Sequence, residues 1–232
     1  KSTLYLVMVI SEPRCSATVL LGGTFDPVHQ GHVNSALELS QYLSGQATPT
    51  QMVHLLPNSQ PLHRLTPQAS AQQRAQMLAL ATAKYEQLAV DERELCRQGP
   101  SYSVLTMAEV RAEIGPQQPL IWCLGVDAFA GLLHWHRWQE LLDYGHLLVL
   151  SRPQATWPTN TQLLTWYAAH QVAEAKQLLA SPLGQVAHLK LGQYAVSATQ
   201  LRQQLCTGQQ PSALYLAPAV AQYIADERLY GI

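Results

Sequence analysis

"GGTFDPVHQGH", residues 22–32, is the stretch on which the reading of this chain turns. It follows Thr18-Val19-Leu20-Leu21, a run apolar and short enough for a buried strand. Gly22 and Gly23 carry no Cβ, so the backbone there can approach a ligand closely. Asp26-Pro27 shapes a turn. Gly31 opens a helix, in which Val33, Ala36, Leu37 and Leu39 recur at helical spacing. A helix start offers N–H groups and the positive end of a dipole to anions. His29 and His32 stand at that start, about one turn apart, so both are candidates to hydrogen-bond one phosphate from the same side. No Lys or Ser/Thr follows in the Walker A pattern, so the phosphate site is of another design. A metal pair at this spacing has no evident third ligand nearby.

Outward from this stretch, apolar runs alternate with helical patterns. Strands are expected at 19–21, 51–57, 87–92, 120–125, 146–151 and 186–191. Helices are expected at 31–43, at 70–83 as a strongly amphipathic one, at 103–114 before Gly115-Pro116, and at about 197–207 and 216–226. Such alternation implies an α/β fold: a doubly wound, mostly parallel sheet with helices on both faces. Ligands then bind beyond the carboxyl ends of the strands, where the strand order reverses. Residues just after strands become the candidates: 22–32, 57–64, 125–127 and Ser151-Arg152.

Composition narrows the class. Hydrophobic residues make up 47% of the 232 and charged ones 12%, so a sizeable core needs no membrane. Lys and Arg number 14 against 15 Asp and Glu, which argues against a nucleic-acid binder with a broad basic face. Cys15, Cys96, Cys123 and Cys206 are far apart and form no C-x-x-C pair, so they read as reduced thiols of a cytoplasmic protein. No apolar run reaches the roughly 18 residues of a membrane span. Residues 1–17 faintly imitate a signal peptide and read as an N-terminal extension ahead of one domain, 18–232. The oligomeric state is left open, a homo-oligomer included.

A second anion cradle lies late in the chain, in "VSATQLRQQL" (196–205). Ser197 reads as an N-cap, Thr199 lies in the first turn and Arg202 about one turn on. By itself this is an ordinary cap beside a surface Arg; next to the opening motif it becomes a partner site.

An H-x-G-H after a glycine-rich turn, with a late S-x-T-x-x-R helix, resembles the nucleotidyltransferase α/β-phosphodiesterase superfamily. Within it the chain is similar to the bacterial nicotinate-mononucleotide adenylyltransferases. "LLPNSQPLHR", "GPSYSVLTMAEVR", "LGVDAF", "WHRWQELL", "HLLVLSRP" and "VSATQLR" look like blocks of that family, in its order. The resemblance covers residue 18 to the C-terminus and implies a Rossmann-like fold.

It also implies a reaction. Nicotinate mononucleotide attacks the α-phosphorus of ATP, giving deamido-NAD and pyrophosphate without a covalent enzyme intermediate. Catalysis is then positioning and charge neutralisation. By the resemblance, His29, His32 and Arg202 are the catalytic set, and Ser197 and Thr199 join Arg202 on the triphosphate. Gly22, Gly23, Thr24, Phe25 and Gly31 would meet ATP, and Gly125 and Asp127 the adenosine ribose. Arg64, Tyr102, Ser103, Trp135 and His136 would serve the mononucleotide, with the Trp135 indole on the cationic ring. Mg²⁺ would arrive with ATP, and no resident metal is expected. Leu62 stands where relatives usually have a second proline, and Ser103 where they usually have Thr. These departures touch loop stiffness and one hydroxyl.

Three alternatives remain. A sister transferase could use the same phosphate machinery on nicotinamide mononucleotide or phosphopantetheine; "PSYS" with "WHRW" points to a pyridine nucleotide, and the resemblance alone selects the acid over the amide. A non-catalytic nucleotide-binding module would share the fold; retention of His29, His32 and Arg202 speaks against it. Class I tRNA synthetases also carry H-x-G-H, but no K-M-S-K-S-like loop occurs here.

Overall fold

The computed structural model describes residues 17–44, 50–59, 67–151, 155–192, 194 and 196–231. Six strands are β1 (Thr18–Gly23), β2 (Val53–Pro57), β3 (Leu88–Val90), β4 (Leu120–Gly125), β5 (His146–Ser151) and β6 (Val186–Lys190). They form one sheet in the order β3-β2-β1-β4-β5-β6, and every pairing is parallel. The expectation of a mostly parallel sheet is thus sharpened to a wholly parallel one.

Parallel strands need crossovers, and helices supply them. They are α1 (Gln30–Leu43), α2 (Ala71–Thr82), α3 (Arg93–Cys96), α4 (Ser103–Ile114), α5 (Val126–Ala130), α6 (Leu141–Tyr144), α7 (Thr161–His170), α8 (Ala198–Cys206) and α9 (Pro218–Asp226). Successive strand residues face opposite sides, so each strand feeds two cores. Val19, Leu21, Ile121, Cys123 and Leu148 pack with α1, α2, α8 and α9. Leu20, Leu120, Trp122, Leu124 and Leu147 pack with α4, α5, α6 and α7. A strand buried on both faces cannot alternate polar with apolar, which is why "LIWCLG" is apolar throughout.

Three expectations change. The strand read at 87–92 ends at Val90, because the Asp91 carboxylate turns back to accept from the Arg93 N–H at 3.0 Å and Nε at 2.8 Å. The amphipathic helix expected at 70–83 spans Ala71–Thr82, and it buries Arg74, 1% exposed, on the same stripe as Met77, Leu78 and Ala81. Helix α7 was not anticipated; only Leu163 of it is buried, so its sequence carries little periodic signal. No helix among the described residues is long and apolar enough to cross a membrane.

Candidate active site

The strand order reverses between β1 and β4, which run side by side while their crossovers leave in opposite directions. A cleft of about 1170 Å³ opens beyond their carboxyl ends. Its wall brings together Gly22, Gly23, Thr24, Phe25, His32, Tyr102, Ser103, Gly125, Asp127, Trp135, His136, Thr199 and Arg202, contributed by segments far apart in sequence. His29, Gly31 and Ser197 lie just behind it. Arg64 falls outside the described residues, as do Arg152 and Cys15.

The two histidines do different things. Their rings stack at 3.7 Å between centroids. His32 faces the cleft, whereas His29 is 3% exposed. Of the two rings expected to reach phosphate oxygens from the same side, His32 lines the cleft and His29 backs it. The His29 N–H donates to His32 Nδ1 at 3.3 Å. A neutral His32 ring thereby holds its proton on Nε2, where it is a donor. Phe25 packs edge-on to His32 at 5.0 Å from a left-handed backbone, φ 51°, uncommon for a residue with a side chain.

Gly23 and Gly31 make room for these rings. A Cβ on Gly31 would come 3.0 Å from His29 Nδ1, and one on Gly23 would come 2.7 Å from the Phe25 ring. The start of α1 is also less open than expected, because the Gln30 N–H donates to the Tyr215 carbonyl at 2.9 Å.

At the start of α8, Ser197 Oγ accepts from the Gln200 N–H at 3.3 Å, the capping bond expected. Arg202 donates through Nη1 to the Asp26 carbonyl at 2.6 Å and through Nη2 to Thr199 Oγ1 at 3.3 Å. Its guanidinium is tied to the turn that carries His32 while still forming part of the wall. Asp127, exposed, sits in the first turn of α5. In the same wall, Tyr102 stacks on His136 at 4.2 Å, and Trp135 lines it too. Trp138 packs instead against Trp166, outside the wall.

Several contributors were not singled out from sequence. Arg74 donates to the carbonyls of Thr24 (2.7 Å), Asn58 (2.8 Å) and Ser59 (3.0 Å), joining the loops after β1 and β2. Burial pulls its pKa down, with Asp26 opposing. Its position on an apolar stripe was a usable signal. Asp26 was read as a turn former only. Its carboxylate accepts from the Gln68 N–H (2.9 Å), the Ala69 N–H (3.2 Å) and the Tyr230 hydroxyl (2.7 Å). Ser101, within the "PSYS" stretch but not named in it, and Glu94, which no local signal marks, also line the cleft. A smaller hollow of about 460 Å³ beside α8 has a glutamine-rich wall that carries no charged side chain. Among the described residues, no three or more of His, Cys, Asp and Glu stand where they could hold a metal ion.

A wholly parallel doubly wound sheet, with a deep polar and aromatic cleft at its switch point, defines a nucleotide-binding α/β protein. The cytidylyltransferase-like family model matches residues 20–204. A relative from Cellvibrio japonicus (strain Ueda107), named "Probable nicotinate-nucleotide adenylyltransferase", is 45% identical over 91% of this chain and 97% of its own length. One of the same name from Chromohalobacter salexigens is 41% identical over 97% of this chain and 100% of its own. The solved Plasmodium falciparum nicotinic acid mononucleotide adenylyltransferase complexed with NaAD superposes with a TM-score of 0.64 at 14% identity, covering 93% of this chain and 97% of that one. The chain belongs to the cytidylyltransferase-like family and, within it, to the nicotinate-nucleotide adenylyltransferases.

Proposed function

We propose that this protein transfers the adenylyl group of ATP to nicotinate mononucleotide, with MgATP and the mononucleotide as substrates. The mononucleotide's phosphate oxygen attacks the α-phosphorus, the bond to the β-phosphate breaks, and pyrophosphate leaves. Deamido-NAD is the other product.

The observation that carries this reading is that two kinds of group line one cleft. His32, Thr199 and Arg202 offer donors suited to phosphate oxygens. Trp135, the Tyr102–His136 stack and Ser103 offer aromatic faces and a helix start. Arg202 and His32 are fixed by hydrogen bonds before any ligand arrives, so charge on the transferring phosphoryl is met with little reorganisation. Gly125 and Asp127 follow β4, where a carboxylate suits the vicinal hydroxyls of a ribose. Trp135 offers a face to the cationic pyridinium. The Ser103 end of α4 offers the positive end of a helix dipole to the nicotinate carboxylate. Mg²⁺ enters bound to the triphosphate and neutralises charge there. Arg64 is assigned to the mononucleotide on sequence alone.

Pyrophosphate release from MgATP tests this directly, with nicotinate mononucleotide, nicotinamide mononucleotide and phosphopantetheine as parallel acceptors. Release with the nicotinate form, well above the other two, is expected. No release with any of them, from folded protein that binds ATP, would replace the enzyme reading with a nucleotide-binding module.

A further inference from the structure

We infer that Glu94 is a positioning residue for the acceptor end of the cleft, acting through Ser101 and Thr106. The inference rests on the acceptor assignment above and adds a residue to it.

Glu94 is 4% exposed, yet it reaches the cleft wall. A carboxyl so placed needs donors, because burial without them is costly. It has two. Thr106 Oγ1 donates to Glu94 Oε1 at 2.8 Å, and the Ser101 hydroxyl bonds to the same carboxyl. Thr106 is fully buried in the first turn of α4, and Ser101 lies just before that helix. Glu94 therefore holds the start of α4 from both sides of Tyr102 and Ser103. The relay continues outward. Ser101 Oγ accepts the Ser59 N–H at 3.1 Å, tying the loop after β2 to the same point. Arg97 donates to Thr106 Oγ1 at 2.9 Å and pairs with Glu109, which fixes the far side. The groups reached this way flank the acceptor side, and none of them lies among the phosphate-reading residues around His32 and Arg202.

A group that only stabilised the fold would affect both substrates alike. A group that orients the start of α4 affects the acceptor selectively. The test is steady-state kinetics of Glu94→Ala and Glu94→Gln, varying nicotinate mononucleotide at saturating MgATP and then the reverse. Glu94→Ala is expected to raise the KM for the mononucleotide about tenfold or more, with the KM for ATP within about twofold. Glu94→Gln should recover most of the loss, since its amide oxygen accepts from Thr106 and its NH₂ can donate to Ser101 Oγ. Should Glu94→Ala not fold, Ser101→Ala breaks the same relay at a half-buried hydroxyl and is read by the same split. KM values that move together, that do not move, or that Gln fails to rescue would overturn the inference. Wild-type protein that shows no turnover with nicotinate mononucleotide would instead sink the acceptor assignment beneath it.

Discussion

His32 is held in one tautomer by a backbone N–H and in one orientation by two flanking rings, His29 stacked and Phe25 edge-on. A donor so fixed is worth more to a developing charge than a mobile one, because no reorganisation is needed at the moment of transfer. His32→Ala is expected to lower the adenylyl-transfer rate by about 10²-fold or more while the circular dichroism spectrum stays unchanged. Pyrophosphate release measures the rate; near-normal turnover would remove His32 from the reacting phosphate. The bond at 3.3 Å explains why a spacing of three was needed: His32 is the residue one turn into α1 that can reach back to His29.

Helices α1 and α4 bring His32, Ser35 and Ser103 into the walls of the cleft, whereas α2 braces the loops of those walls from inside the core. Arg74 links the β1 and β2 loops through three carbonyls, which no apolar side chain can satisfy. Arg74→Met keeps the volume and loses the donors. It is expected to cost about 2–4 kcal/mol of stability, since buried acceptors are left without partners. Urea unfolding followed by fluorescence checks this, and a shift below 1 kcal/mol, on the scale of ordinary surface changes, would show the loops to be held by other means. Helix α2 thus has two readings. Its apolar stripe was visible as a stripe, but an Arg within it looks like an interruption until the loops above it are known.

At the scale of the whole molecule, the chain is tied across long sequence separations. Tyr230 reaches Asp26 at 2.7 Å and Arg202 reaches the Asp26 carbonyl at 2.6 Å, so both ends of the described chain meet at the turn between β1 and α1. His146 ties β5 to the segment before β6. Its Nε2 lies 2.8 Å from the Ser181 carbonyl, and its Nδ1 accepts from the Gln185 N–H at 3.1 Å. The ring is fully buried and neutral in this arrangement. Burial pulls its pKa down, and Arg111 adds to that. The unfolded chain therefore binds a proton that the folded one refuses. Stability is fully present above the ordinary imidazole value of about 6.5 and is lost as pH falls below it, by up to about 1.4 kcal/mol per pH unit for one proton. Burial also lowers His54 and His188, which act in the same sense. Thermal midpoints between pH 8 and 5 are expected to fall on acidification, less steeply in His146→Gln; an unchanged slope in that variant would exclude His146 as a source.

The alternation of strand and helix was legible because a doubly wound sheet writes itself locally: apolar runs for strands buried on two faces, 3.6-residue stripes for their covers. The strand-Gly-Gly turn, the paired histidines and the late Ser-Thr-Arg helix were legible because each gathers several unusual residues within one turn. Resemblance, rather than any local pattern, singled out Tyr102, Ser103, Trp135 and His136, which all line the cleft. Only the tertiary structure decided which histidine faces the cleft, that Gly23 and Gly31 make room for rings, and that Arg74, Asp26 and Glu94 hold the walls. The hydrogen bonds of Arg74, Asp26 and Glu94 reach partners 12 to 204 residues away in the chain. A buried polar group is defined by what satisfies it, and over such separations the partner is invisible until the chain has folded.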